Sequence, residues 1–195
     1  MSYSADLRAV RAHFGFSQPA LAPWLGLSRA LLASVETGRE ALPAHARPWL
    51  HPWQAALALP EAAAASAPEP EPVPALHAAG PAAVLVRLAE CHYQAQRMSQ
   101  QRATLLAGHR LAARRLAAGP LLLAALPPPP GAPPEADELA RRRRWLARLL
   151  EAAADALAPE APAGPVAAAL LDARRRGYWH EAAGLRAWLA GGEEK

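Results

Sequence analysis

The sequence predicts an all-α protein: a small N-terminal helix-turn-helix bundle, a Pro/Ala-rich linker, and a C-terminal helical bundle or coiled coil. Alanine and leucine, the strongest helix formers, supply 52 and 30 of the 195 residues. Isoleucine is absent and valine scarce, so the β-branched residues that favour strands are missing. The 21 prolines, about twice the usual ~5% share, read as breaks between helices.

The first 57 residues read as short helices with sharp stops. Ser4 can cap a helix whose buried face is Leu7, Val10 and Phe14, ended by Gly15. Ser17 can cap a second helix, Gln18 to Leu25, with Gly26 as terminator. Ser28 can cap a third, Arg29 to Glu36 or Thr37, ended by Gly38. Only Gly26, Leu27 and Ser28 separate the second and third, the three-residue turn of a helix-turn-helix. A fourth helix follows Leu42-Pro43, with Trp49, Trp53 and Leu57 packing on the others.

Residues 58–80 form a low-complexity Ala/Pro/Glu segment in which Pro68, Pro70, Pro72 and Pro74 alternate. Proline fixes φ and biases its predecessor away from helix, so this segment reads as a flexible, semi-extended linker. It divides a 1–57 domain from a helical region, 81–190, itself broken by a Pro-rich loop at 127–134.

Three helices are expected beyond the linker. From Pro81 to Ala118, Val84, Leu88, Cys91, Ala95, Met98, Leu105, Ala112 and Leu116 recur at alternating four and three spacing, an a/d seam. The seam fits either a homodimer coiled coil through residues 84–116 or an intramolecular bundle. A second helix, about 135–158, carries a stripe of Leu139, Leu146, Leu150, Ala153 and Leu157. Arg141 to Arg144 cross that stripe and read as a solvated face, because Glu135, Asp137, Glu138 and Glu151 flank them. The third, about 165–190, should turn Val166, Leu170, Leu171, Tyr178, Leu185, Trp188 and Leu189 inward.

Composition narrows function. The formal charge is +4, compatible with a nucleic-acid partner but modest over this length. Twenty of the 21 basic residues are arginine, a preference that also suggests GC-rich coding bias. One cysteine, Cys91, excludes an internal disulfide or a multi-cysteine zinc site and fits a reducing cytoplasm. The most apolar run, Leu116 to Leu126, is too short for the roughly 20 residues a membrane helix needs. No phosphate-cradling glycine loop, nucleophile elbow or metal-ligand spacing is visible, so neither an enzyme, a cofactor nor a metal site is expected.

The segment SQPALAPWLGLSRALLASVETGREALP resembles the Cro/phage-repressor (Xre-type) helix-turn-helix family, over about residues 4–57. The family pattern is met at Arg11, Ser17, Gln18, Leu21, Ala22, Leu25, Gly26, Ser28, Arg29, Leu32, Val35, Glu36, Gly38, Arg39 and Pro43. The resemblance implies a recognition helix, 29–36, in the major groove of double-stranded DNA. By position it implies base contacts from Arg29, Ala30 and Ser34, phosphate contacts from Gln18 and Arg39, and a structural ion pair between Arg11 and Glu36. The implied function is sequence-specific DNA binding in transcriptional regulation, in a bacterial-type protein. Departures from the pattern open a second reading. Pro23 stands in the second helix, and Leu31 and Ala33 occupy recognition-helix positions that are usually polar. On that reading the chain is a helical protein-interaction module whose helix-turn-helix no longer reads DNA.

Overall fold

The computed structural model describes residues 3–60, 80–126, 135–162 and 164–191. Among these residues seven α-helices run in the order α1 (Tyr3–Phe14), α2 (Gln18–Leu25), α3 (Arg29–Glu36), α4 (Arg47–Ala56), α5 (Ala82–Ala124), α6 (Glu135–Leu157) and α7 (Pro165–Gly191). A single 3₁₀ turn, Ala44–Ala46, leads into α4. The described residues contain no strand, so the all-α expectation holds. The linker prolines and the Pro-rich loop at 127–134 lie outside the described residues.

The chain forms two compact units. The first comprises residues 1–64 and 110–157, the second residues 65–109 and 158–195. The first division falls within the 58–80 segment, and the 81–190 region is shared between the two units. The end of α5 and all of α6 join the N-terminal helices, and the physical reason is a shared core. Leu7, Val10 and Phe14 of α1, Leu21, Trp24 and Leu25 of α2, Leu32 and Val35 of α3, and Leu50 and Trp53 of α4 are buried together. Ala118, Leu122 and Leu126 near the end of α5, and Leu139 and Leu146 of α6, belong to the same cluster. Four tryptophans and two phenylalanines interlock there. Trp24 lies 5.4 Å from Trp145, and Phe14 meets Trp53 edge-on at 4.7 Å. Such ring pairs add to the burial of their large areas.

Arginines from the later helices complete the early ones. A helix leaves its last carbonyls without intrahelical partners. At the end of α1, Arg115 donates through Nε to Phe14 O at 2.9 Å and through Nη2 to Gly15 O at 3.1 Å. Arg114 Nη1 donates to His13 O at 3.0 Å. At the end of α2, Arg142 Nε donates to Trp24 O at 2.7 Å. A cation at a helix C-terminus also meets the negative end of the macrodipole. Arg142 is the main correction to the solvated-face reading of Arg141 to Arg144, because only 4% of it is exposed. Its guanidinium lies 4.0 Å over the Trp49 ring and bonds Glu138 Oε1 at 2.6 Å. Burial pulls its pKa down, and Glu138 opposes that pull.

Gly26 makes this approach feasible. Its φ of +68° ends α2 in the left-handed conformation, where glycine carries no penalty. A Cβ there would also stand 2.9 Å from both Arg142 Nη2 and Glu138 Oε1. Pro23 is held within an eight-residue α2, so the helix is short, as its missing donor requires.

The second unit has a smaller core: Leu88 and Cys91 of α5 with Ala182 and Leu189 of α7. Val84, Leu85, Tyr178 and Leu185 pack around them, half-buried. The first half of the a/d seam is thus buried within one chain, with Leu88, Cys91 and Ala95 all at 2% exposure or less. Within the chain α7 covers that half of the seam. Val166, Leu170 and Trp188 point outward on α7 and are more than half exposed, against the inward placement expected of them. Small Ala168 and Ala182 take the inward positions instead.

Candidate nucleic-acid interface

The residues of the expected DNA-reading surface gather on α3 and its flanks. Ser28 begins α3 in extended conformation and accepts a hydrogen bond from Leu31 N at 3.1 Å, the N-cap that its position predicts. At the other end Thr37 Oγ1 donates to Ala33 O and Ser34 O at 3.1 and 3.0 Å, and Gly38 turns away with φ of +74°. Both ends of this eight-residue helix are therefore satisfied locally.

Within α3 the two faces differ sharply. Leu32, Val35 and Glu36 are buried, which anchors one side. Arg29 and Ala30 are exposed on the first turn, Ser34 is half-buried, and Arg39 is exposed just beyond the helix. Neither the Arg29 nor the Arg39 side chain has a hydrogen bond or ion pair among the described residues. Leu31 lies half-buried against the main core, so its apolar side chain is accounted for by packing.

The Arg11–Glu36 pair is present and is larger than a pair. Arg11 Nη1 reaches Glu36 Oε1 at 2.9 Å and Oε2 at 2.6 Å. Gln18 Nε2 also donates to Glu36 Oε2, at 2.8 Å. Arg11 Nε donates to Phe16 O at 3.0 Å. One carboxylate, 7% exposed, thus ties α1, the start of α2 and the end of α3. Removing one member of such a partly buried network leaves a charge uncompensated, a change that costs about 3–5 kcal/mol in fully buried pairs. Gln18, expected at a phosphate, is therefore part of the frame that orients α3.

Sequence reasoning missed two features around this surface. Trp145 Nε1 donates to Ala20 O at 3.1 Å, so α6 is fastened along α2. Arg142 sits three residues after Leu139 and four before Leu146, which is core spacing, and that was the available signal. A surface cleft of about 650 Å³ opens between the α2 segment Ser17 to Pro23 and α6, with Arg115, Arg141, Arg144 and Arg148 in its wall.

The other titratable features lie in the second unit. Burial pushes the Cys91 thiol up, with Glu181 adding to the shift, so it is not held as a reactive thiolate. Burial lowers the pKa of His92, and Arg186 lowers it further. Among the described residues no three His, Cys, Asp or Glu side chains cluster as metal ligands do. No helix among them is long and apolar enough to cross a membrane. No protein-family model, curated protein or solved structure matches the chain.

Proposed function

We propose that this protein binds double-stranded DNA with sequence preference through α3, as a regulator of transcription. The observation that carries the reading is Arg29, an exposed guanidinium without a partner among the described residues, on the capped first turn of a helix whose opposite face is locked into the core. Arginine in that setting offers two parallel donors to guanine O6 and N7, a contact that discriminates bases by about 1–3 kcal/mol. Ala30 presents a small apolar surface next to it, and Ser34 lies one turn further along. Arg39 supplies a cation for the backbone, and the Arg11–Glu36–Gln18 network fixes the angle at which α3 is offered.

The test is selection from a random duplex library by folded wild type and Arg29→Ala. The expected outcome is an enriched motif that loses at least one specified base in the variant while weak general affinity persists. A folded wild type that enriches nothing at low salt would refute the reading.

An interaction module is the second reading, and one observation favours it. Val86, Tyr93, Val166, Leu170 and Trp188 of the second unit are each more than half exposed, apolar side chains that a protein partner could cover. DNA binding weakens steeply with salt through counterion release, whereas an apolar protein contact does not, so salt dependence separates the two readings.

A further inference from the structure

The arginines of α6 divide by face. Arg142 points into the core. Arg141, Arg144 and Arg148, at i, i+3 and i+7, lie together on the face that borders the cleft against α2, and all three are exposed. None of the three has a hydrogen bond or an ion pair among the described residues. Among the described residues no Asp or Glu lines the cleft. Of the nearest acids on the helix, Glu138 is held by Arg142, and Asp137 and Glu151 form no ion pair among the described residues. Arg115, the fourth arginine in the wall, is already committed to the carbonyls of α1 and stacks on Phe16 at 5.1 Å.

Three like charges three and four residues apart on one helix repel each other. They are also what a polyanion would need. From Arg141 to Arg148 the helix rises about 10 Å, roughly three base steps of duplex at ~3.4 Å each. A single small anion could not meet all three guanidiniums at that spread, whereas consecutive phosphates of one strand could. The cleft also borders the start of α2, where the helix dipole is positive and Ser17 makes no side-chain capping bond. Arginine is suited to phosphate because its fork bonds two oxygens at once.

We infer that this cleft is a phosphodiester-binding groove. Arg141, Arg144 and Arg148 hold the backbone of the duplex that α3 reads, which makes α6 a second DNA-contacting element. This inference rests on the DNA-binding reading.

The test compares wild type with the triple variant Arg141→Gln, Arg144→Gln and Arg148→Gln, in the full chain. Duplex affinity is measured by anisotropy from about 50 to about 200 mM salt. All three side chains face outward, and circular dichroism with tryptophan fluorescence checks that the variant folds. The expected result is a slope of log K against log salt that becomes shallower by up to about 0.9 for each phosphate no longer neutralised, with the preferred base sequence unchanged. An unchanged slope in a folded variant overturns the groove. Inorganic tripolyphosphate separates failure here from failure of the reading beneath it. Should wild type bind no duplex, the α3 reading fails and the groove's role with it. A tripolyphosphate-induced rise in Tm that the triple variant lacks would then still support a phosphate site. No rise in the wild type would overturn that too.

Discussion

The two units are built from the same alanine-rich vocabulary with different results. In the first, six aromatic rings and a set of fully buried leucines fill one core, and arginines close the ends of its short helices. In the second, the buried cluster among the described residues is Leu88, Cys91, Ala182 and Leu189, and larger side chains lie outside it. Besides that cluster and the half-buried side chains around it, ion pairs join α5 to α7. Arg87 bonds Glu181 twice, at 2.6 and 2.8 Å, but both side chains are exposed. Asp172 gathers Arg102, Arg175 and Arg176 within 3.9 Å. Exposed pairs contribute little, and each buried large apolar side chain contributes about 1.5–3 kcal/mol. Helix propensity is shared, and stability follows the large residues.

The strongest way to break that contrast is to remove a large residue from the first unit. Trp53 is fully buried and meets Phe14, Phe16, Trp24 and Trp145. Trp53→Ala should cost about 3–5 kcal/mol, and native-state hydrogen exchange should show weaker protection in α1 to α4 and α6. An equal fall in protection in α7 would mean that the two units unfold together.

A smaller effect is expected at Arg142, and its sign is informative. Arg142→Met keeps most of the stem beside Trp49 but leaves Trp24 O without its donor. An unsatisfied buried carbonyl costs about 1–3 kcal/mol. Glu138 is half-exposed, so the absence of its ion pair adds little. Buried ion pairs replaced by apolar residues are sometimes neutral or better. Should chemical denaturation find Arg142→Met as stable as wild type, the capping role assigned to this arginine is wrong.

Much of the first unit was legible because its signals are local. Ser28 as N-cap, Gly26 and Gly38 as left-handed stops, and the spacing of Leu7, Val10 and Phe14 each act within a few residues of themselves. The carbonyls that Arg142, Arg115 and Trp145 bond lie 100 or more residues away in the chain, so no local pattern names them. The run Arg141 to Arg144 shows the limit. Net charge made it look solvated, yet helical spacing puts its second member in line with Leu139 and Leu146. The seam of α5 shows a different limit. Its period correctly found a buried stripe, but a period cannot say whether α7 or another chain covers it. In α7, alanine is small enough to be buried or exposed at nearly the same cost, so leucine spacing alone misplaced Val166, Leu170 and Trp188.

The finest test of the contrast is acid, because the second unit buries a histidine with no compensating bond among the described residues. His92 is 4% exposed, neither ring nitrogen has a hydrogen-bond partner among the described residues, and its ring lies 5.4 Å from that of Trp179. Burial and nearby Arg186 hold its pKa below the ordinary value. As pH falls through about 6.5, the unfolded chain takes up a proton at this residue and the folded chain does not. The unfolded state then binds more protons, so stability falls with acid. The contribution is full above pH ~6.5 and is lost progressively toward the lower folded-state pKa. Glu181 has its pKa lowered by the hydrogen bond from Arg87, so its own contribution fades in a more acidic window, below the ordinary glutamate value. Denaturant melts of the second unit between about pH 7 and pH 5.5 should therefore slope in wild type and flatten in His92→Leu. The variant should also be no less stable at pH 7, because it removes two buried nitrogens that have no hydrogen-bond partner among the described residues. A slope that survives the substitution would place the acid sensitivity elsewhere and leave His92 as a tolerated passenger in a loosely packed core.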